Sequence, residues 1–349
     1  MVSILQVAKE AGVSPSTVSR TFTSPGLLKE ETCSRVIETA KRLNYKPRHQ
    51  RVTDSRIRSA KTKSKLSNSD TIGFQFFAYN ELDLLQSNGF YGPVLAGAQA
   101  ECAKLGMHLL LHATHRHQLL NQLPKMVEER AVSGMLLVGT ADPKILAMFS
   151  EHIPNIVLVD NRDISGNHDC IIPDGFHGMY EAAKHLISRG HTKIGFYEDS
   201  TAPATFEDRL YGYLCAINDA GLTPAPRLII TSGVIEDRVN SICDYLSKKD
   251  RPSAIVAAND MLAFDVMEAC HRMNINIPDE LSVIGYDDIE FSALTRPALT
   301  TVRVEKEYLG RLGVRRLYYL MHRDHEAEAN EPPIQLTIPV SLVHRQTCR

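Results

Sequence analysis

Near the start of the chain, six residues have the types and spacing to hold a polyanion. In SILQVAKEAGVSPSTVSRTF (residues 3–22), Ser14, Pro15, Ser16, Thr17, Ser19 and Arg20 fall within one short stretch. Hydroxyls and a guanidinium at the start of a helix can hydrogen-bond phosphate oxygens and the edges of bases. Pro15, Ser16 and Arg20 are the candidates for base edges, with Thr17 and Ser19 near phosphates. Arg20 could grip a guanine through two N–H groups or hold a phosphate, and its type allows either. Ser14 is placed to cap the helix, with Pro15 at its first position, where a missing N–H costs nothing.

Groupings for catalysis are missing. No G-x-x-x-x-G-K-[ST], G-x-S-x-G, H-E-x-x-H or G-x-G-x-x-G occurs. The acidic pairs Asp287–Asp288 and Glu207–Asp208 are adjacent in sequence, so their side chains diverge and make poor acid/base partners. His112, His115 and His117 follow an apolar run at i, i+3, i+5, a weak ligand spacing, and are expected to be solvated loop residues. Neither an enzyme, a cofactor nor a metal is expected.

A helix-turn-helix accounts for the first group. Val7, Ala8 and Ala11 share a helical face, Gly12 breaks the helix, and Val18 faces back from the second helix. A third helix, about 30–43, offers Val36, Ile37, Ala40 and Leu43 to cover the pair. Charge agrees: residues 1–65 hold 14 Lys/Arg against 5 Asp/Glu, so the remaining 25 basic and 36 acidic residues leave the rest of the chain at −11. A small polyanion-binding module attached to a larger acidic domain follows from that asymmetry.

From residue 71 onward short apolar runs alternate with amphipathic segments. TIGFQFF, MHLLLHA, SGMLLVG and NIVLVD read as strands, with helices at 94–105, 119–130 and 144–149. KIGFYE, LIITS, AIVAAN and LSVIGYDD repeat the pattern, with helices at 180–189, 209–220, 239–247 and 263–273. Such alternation, present twice, implies two lobes of parallel sheet covered by helices, with a ligand cleft beyond the strand ends. The chain's 43% apolar composition supports a sizeable core, and no apolar run reaches the ~20 residues of a membrane span. Residues 1–10 do not read as a secretory signal, and seven scattered cysteines without a C-x-x-C fit reduced thiols, so a cytoplasmic protein is expected.

VAKEAGVSPSTVSRTF, followed by ETCSRVIETAKRLNYKP, resembles the DNA-binding head of the lactose-repressor/galactose-repressor (LacI/GalR) family, whose V-A-x-x-A-G-V-S-x-x-T-V-S-R is met at every fixed position of 7–20. NGFYGPVLAGAQAECAKLG, DGFHGMYEAAKHLISRGH, Arg209-x-x-Gly212, AIVAAND and VIGYDD followed by TRPALTTVR extend the likeness to the family's periplasmic-binding-protein-like core. The resemblance implies an α/β fold: a three-helix head at 1–47, a basic hinge at 48–70, and an effector-binding and dimerisation domain at 71–349. Its N-lobe is expected at about 71–160 plus 300–325 and its C-lobe at about 161–299 plus 326–345. IPVSLVHR fits the family's closing strand with no leucine heptad after it, so no tetramer-forming tail is expected.

In the hinge the family pattern fails. Members carry an Ala-x-x-Leu element whose leucine wedges into the minor groove, whereas RHQRVTDSRIRSAKTKSKLSNSD has only Val52 and Ile57 nearby. Phosphate contacts by Arg51, Arg56 and Arg58 are expected there. By resemblance, the effector-contacting positions are Phe90 or Tyr91, Arg209, Asn259 and Asp287, with Asp174 beside them. A carboxylate, an amide and a guanidinium can hydrogen-bond neighbouring hydroxyls of a sugar, and a ring can stack on its apolar face. The usual N-P-F-F reads Asn88-Gly89-Phe90-Tyr91, so the ligand need not be a common hexose.

The expected function is a homodimeric transcription regulator, a repressor, on a pseudo-palindromic DNA operator, controlled by a sugar or sugar derivative held between the lobes. Dimer contacts are expected from the helix at 94–105 and the 263–273 region. The alternatives are the same regulator answering to a protein partner or to a non-sugar metabolite such as a nucleobase. A plain solute-binding protein is disfavoured by the basic head.

Overall fold

Gly12 adopts φ +64°, the left-handed conformation that ends α1 (Ile4–Glu10) and lets α2 (Pro15–Thr23) start against it. The computed structural model describes residues 4–23, 30–43, 45, 71–78, 89–115, 123–139, 143–199, 205–230, 235–323 and 331–349. The chain divides into two compact units, Met1–Ser67 and Asn68–Arg349.

In the first unit α3 (Glu30–Arg42) covers the helix pair, and Val7, Ala8, Ala11, Val18, Val36 and Ala40 form its core. Ile37, expected in that core, is instead 38% exposed. The buried stripe of α3 runs Val36, Thr39, Ala40, and Ile37 lies about 100° round the helix from its neighbour. Thr39 enters the core because its hydroxyl donates to Arg35 O within the same helix.

The second unit contains two six-stranded sheets. The first is built from β1 (Thr71–Ala78), β2 (His108–His115), β3 (Gly134–Val138), β4 (Ile156–Val159), β5 (Asp169–Pro173) and β11 (Gln335–Ile338), in the order β11-β5-β4-β3-β1-β2. The second has β6 (Ile194–Asp199), β7 (Leu228–Ile230), β8 (Ala254–Ala257), β9 (Ser282–Asp287), β10 (Thr300–Arg303) and β12 (Ser341–Val343), in the order β12-β10-β9-β8-β6-β7. All pairings are parallel except β10 with β12. With β11 and β12 set aside, both lobes read fifth-fourth-third-first-second, so one topology occurs twice. β1, β3, β4, β8 and β9 are buried along their lengths, as strands covered on both faces must be.

Helices α4 (Tyr91–Leu105), α5 (Lys125–Glu128) and α6 (Pro143–Ser150) serve the first sheet. α8 (Thr205–Asp219), α9 (Ile235–Leu246), α10 (Asp260–Arg272) and α11 (Glu290–Leu294) serve the second. α7 (Gly175–Ser188) follows β5 into the second lobe, and α12 (Lys306–His322) follows β10 back into the first. Each arriving helix packs on the first helix of its new lobe through a glycine. A Cβ on Gly97 of α4 would stand 2.0 Å from Glu307 O, and one on Gly212 of α8 would stand 2.0 Å from Phe176 O. Glu307 and Phe176 are the second residues of α12 and α7.

The lobe boundaries differ from the expected ones in three places. β5 lies in the N-lobe sheet, not in a C-lobe beginning at 161; β10 lies in the C-lobe sheet, not in the N-lobe; β11 returns to the N-lobe. DCIIP and TTVR are short and open on Asp169 and Thr300, so they lack the apolar signature of the central strands. Helix starts also move: α7 begins at Gly175 and α8 at Thr205, each upstream of the apolar periodicity. Of the helix expected at 119–130, Lys125–Glu128 is described as helical. Among the described residues no helix is long and apolar enough to cross a membrane.

Candidate functional site

On the head, α2 sorts its residues by face. Val18 and Thr21 point inward, and Thr21 donates to Thr17 O; Pro15, Ser16, Ser19 and Arg20 are exposed and Thr17 is half-buried. Ser14 Oγ accepts from Thr17 N (3.1 Å) and lies 2.7 Å from Ser16 Oγ and 2.8 Å from Thr17 Oγ1, a cap shared among three hydroxyls. Ser14 and Thr17 therefore order the helix start, and Pro15, Ser16, Ser19 and Arg20 form its outer face. Arg51, Arg56, Arg58, Val52 and Ile57 lie outside the described residues.

In the second unit, polar groups from both lobes meet beyond the strand ends. Asp287 ends β9 at φ +113°, and Asp160 follows β4 at φ +55°. Backbone held in that region by a non-glycine residue is strained and tends to mark sites where a side chain must be aimed. Asp160 is 6% and Asp287 9% exposed, and in each Oδ1 is buried without a hydrogen bond. Burial pushes Asp160 up to about 6, against the opposing pull of Arg209 and of the Tyr91 hydrogen bond. It pushes Asp287 up to about 7; Arg209 and Lys306 oppose this, whereas Asp260 and Asp160 add to it.

Arg209, 2% exposed, carries the positive charge that acts on both carboxylates. Its Nη1 donates to Ala258 O (2.6 Å), its Nη2 is 3.4 Å from Asp287 Oδ1, and its guanidinium lies over the rings of Tyr286 (3.8 Å to the centroid) and Phe206 (4.3 Å). The Arg209–Asp287 distance is within ion-pair range, yet the angle makes no hydrogen bond, so this buried oxygen is ion-paired without a hydrogen bond.

Phe90 and Tyr91 part company. Phe90 is buried in the core, while Tyr91 Oη donates to Asp160 Oδ2 at 2.8 Å. Burial, and the Asp160 charge after it, hold the Tyr91 hydroxyl well above its usual range, so it stays a donor. Asn259 caps α10, its Oδ1 accepting from Leu262 N (2.8 Å). Asp174 caps α7 through His177 N (2.9 Å), and its carbonyl accepts from Tyr286 Oη (3.1 Å). These caps are the structural roles those side chains fill.

Several residues that hold the site were not among the expected ones. Asp260, fully buried, accepts from Thr301 Oγ1 (2.5 Å), Ser292 Oγ (2.7 Å) and Ile289 N (2.9 Å), pinning the loop that follows Asp287. Lys306 Nζ donates to Asp287 O (2.6 Å), Asp288 O (2.9 Å) and Val304 O (3.4 Å). Asp288 turns the other way, to Arg303 and Arg345, so the Asp287–Asp288 pair does diverge. Across the lobes, Asp208 of α8 accepts two hydrogen bonds from Arg162 of the β4–β5 loop (Nη1–Oδ1 3.2 Å, Nη2–Oδ2 2.5 Å). Asp160 had a signal in the sequence: NIVLVD ends on an aspartate as VIGYDD does. His112 lies 2.8 Å from Gln75 Oε1; the side chain of His115 and all of His117 lie outside the described residues. Among the described residues no three His, Cys, Asp or Glu side chains are grouped to hold a metal.

Residues 3–48 match the bacterial regulatory proteins of the lacI family, and residues 183–348 match a periplasmic binding protein-like domain. The chain is 31% identical over 325 residues to the HTH-type transcriptional repressor PurR of Aliivibrio salmonicida, covering 90% of each protein. It belongs to the lacI family. As a lacI-family protein it is a DNA-binding transcriptional regulator, whose helix-turn-helix head precedes two parallel-sheet lobes in the sequence. The Escherichia coli K12 ribose operon repressor is 29% identical over 342 residues, 97% of each chain. A structure of the lac repressor dimer bound to operator and the anti-inducer ONPF shares the fold, with TM-score 0.68 at 22% identity over 99% of this chain and 98% of that one.

Proposed function

We propose that the protein is a cytoplasmic, homodimeric repressor that binds a two-fold-related DNA operator through Pro15, Ser16, Ser19 and Arg20. In this reading a small molecule held by Tyr91, Asp160, Arg209, Asn259 and Asp287 controls operator affinity. One observation carries the effector site: two buried aspartates from different lobes each keep one carboxylate oxygen without a hydrogen bond, and one of them faces a buried guanidinium. Buried polar atoms are almost always satisfied, so such a cluster is waiting for partners. A cleft this polar suits a small hydrogen-bonding ligand better than a protein segment. Effector and operator then act reciprocally, with a coupling of about 1–3 kcal/mol.

The domain plan that supports this is a head at 1–47, a hinge at 48–70 with Arg51, Arg56 and Arg58 on phosphates, and a sensor at 71–349. For the dimer, the apolar face of α4 is already covered by α12. Met261, Phe291 and Leu294 are exposed where α10 meets α11, and a two-fold partner would cover them. A thermal-shift screen against sugars and nucleobases, followed by operator titration with each hit, tests the reading. A hit that shifts operator affinity is expected. Stabilising ligands that leave DNA binding unchanged would refute control through this cleft.

A further inference from the structure

The end of α6 and the β4–β5 loop bring together an aspartate, a histidine and a serine that the regulator reading leaves unused. Asp163 Oδ2 lies 2.7 Å from His168 Nδ1, and His168 Nε2 lies 2.8 Å from the Oγ of Ser150, the last residue of α6. The carboxylate is fixed through both oxygens. Oδ1 accepts from Ser165 N (2.9 Å) and Ser165 Oγ (2.6 Å), and Oδ2 accepts from Asn167 N (2.9 Å). Burial opposes its charge, but these hydrogen bonds and the one to His168 outweigh burial and hold the carboxyl down at about 2. The Asp163 and His168 side chains are 5% and 17% exposed, whereas Ser150 is open to solvent.

The atoms involved fix where the protons lie. An ionised carboxylate can only accept, so Nδ1 carries the hydrogen, and in the neutral ring Nε2 is left as the basic nitrogen. The single Ser150 hydroxyl proton then has two acceptors within reach, His168 Nε2 and Leu146 O (2.8 Å). A hydroxyl next to a base that a third group orients is the arrangement of an activated nucleophile. Turnover needs more, namely donors for the oxyanion. The N–H groups of Glu151, His152 and Ile153 are spent on the Ala147 and Phe149 carbonyls, and Ser150 sits at the negative end of its helix.

We propose that Ser150 is a covalent acylation site, which takes an acyl group from an activated ester and keeps it. Ser150 Oγ bonds to the acyl carbon while its proton passes to His168 Nε2. The bond from that carbon to the leaving oxygen breaks, and the leaving group departs with the bonding pair. The imidazolium then gives its proton to the leaving group, so an ester of Ser150 and a free alcohol or phenol remain. Because the neighbouring N–H groups are spent, only esters with a good leaving group react, and the acyl-serine is not hydrolysed in turn. Acylation removes the hydroxyl proton from the contact that ties α6 to the β4–β5 loop, on which Arg162 also lies.

The test is incubation of the full chain with p-nitrophenyl acetate, following the coloured phenolate and mapping acetyl groups by mass spectrometry of peptides. Ser150 of the folded protein should become acetylated, and phenolate release traceable to it should stop at one equivalent. The same peptide should stay unmodified over that time in concentrated urea, where Ser150 has no base beside it. Ser150→Ala should abolish this release and keep the melting transition. His168→Gln retains a hydrogen-bonding side chain but no base, and should slow the acetylation about a hundredfold. An unmodified Ser150 in the folded chain overturns the inference, wherever else acetyl groups land. So does a Ser150 adduct that forms as fast in urea or in His168→Gln. Continuous turnover that Ser150→Ala removes would overturn the claim that the acyl group is kept.

Discussion

The two lobes share a strand order, a glycine-mediated helix packing and an aspartate after the fourth strand, yet they build their halves of the cleft differently. In the N-lobe, the Asp160 carboxylate takes one hydrogen bond, from Tyr91, and its backbone N–H donates to Ile171 O. In the C-lobe, Asp287 faces Arg209, its carbonyl is held by Lys306, and Asp260 fixes the loop behind it. The same scaffold position is a lightly held arm on one side and a braced clamp on the other. A duplicated fold supplies equivalent places, and the side chains around each place decide how rigidly it grips.

Removing the brace should break the comparison most strongly. Arg209→Ala leaves Asp287 buried without its cation, and chemical denaturation should show a loss of about 3–5 kcal/mol. Its N-lobe counterpart, Tyr91→Phe, removes one hydrogen bond and should cost only about 1–3 kcal/mol. Equal losses would mean the lobes are braced alike. The glycine contacts test the opposite point, that the scaffolds are equivalent. Gly97→Ala and Gly212→Ala each force a Cβ against a carbonyl and should cost a similar ~1–3 kcal/mol. A large loss in one variant and none in the other would end the claim of matched packing.

Titration sharpens the difference. Asp287 is raised to about 7 and Asp160 to about 6, so each favours folding below its unfolded value near 4 and loses that contribution as pH rises through its folded value. Melting curves of effector-free protein at pH 8 should therefore show Asp287→Asn stabilised by roughly 2 °C or more, and Asp160→Asn by less. The gain should vanish for both variants near pH 4. A stabilisation that instead grows on acidification would contradict the assigned direction. The smallest effect belongs to Arg162 and Asp208, whose side chains are 30% and 25% exposed. A double-mutant cycle should give a coupling of about 0.2–1 kcal/mol that fades with salt. Coupling well above that range would make this cross-lobe pair a structural brace in its own right.

Legibility in the sequence followed burial. TIGFQFF, SGMLLVG and NIVLVD stand out because a strand covered on both faces must be apolar throughout. The head was readable to single residues, since Gly12, Ser14 and Val18 act on neighbours a few positions away. DCIIP and TTVR escaped notice because their partners lie elsewhere: β5 pairs with β11 from far down the chain, and Thr300 takes its backbone hydrogen bond to Thr347. The site behaved likewise. Arg209 and Asp287 sit in recognisable motifs, whereas Asp160 acquires meaning only from Tyr91, 69 positions upstream, and from the matching place of Asp287. Ile37 shows the limit of counting apolar residues, because helical phase decides which of them face inward.

The threefold passage of the chain between lobes has a consequence during synthesis. The N-lobe sheet cannot be completed until β11, ending at Ile338, has emerged, whereas the helical head is finished by Tyr45. At about 5–20 residues per second that interval lasts roughly 15–60 s. A nascent chain would expose a finished reading head well before it owns a sensor. The two lobes close only when these last strands, β11 and β12, have joined their sheets.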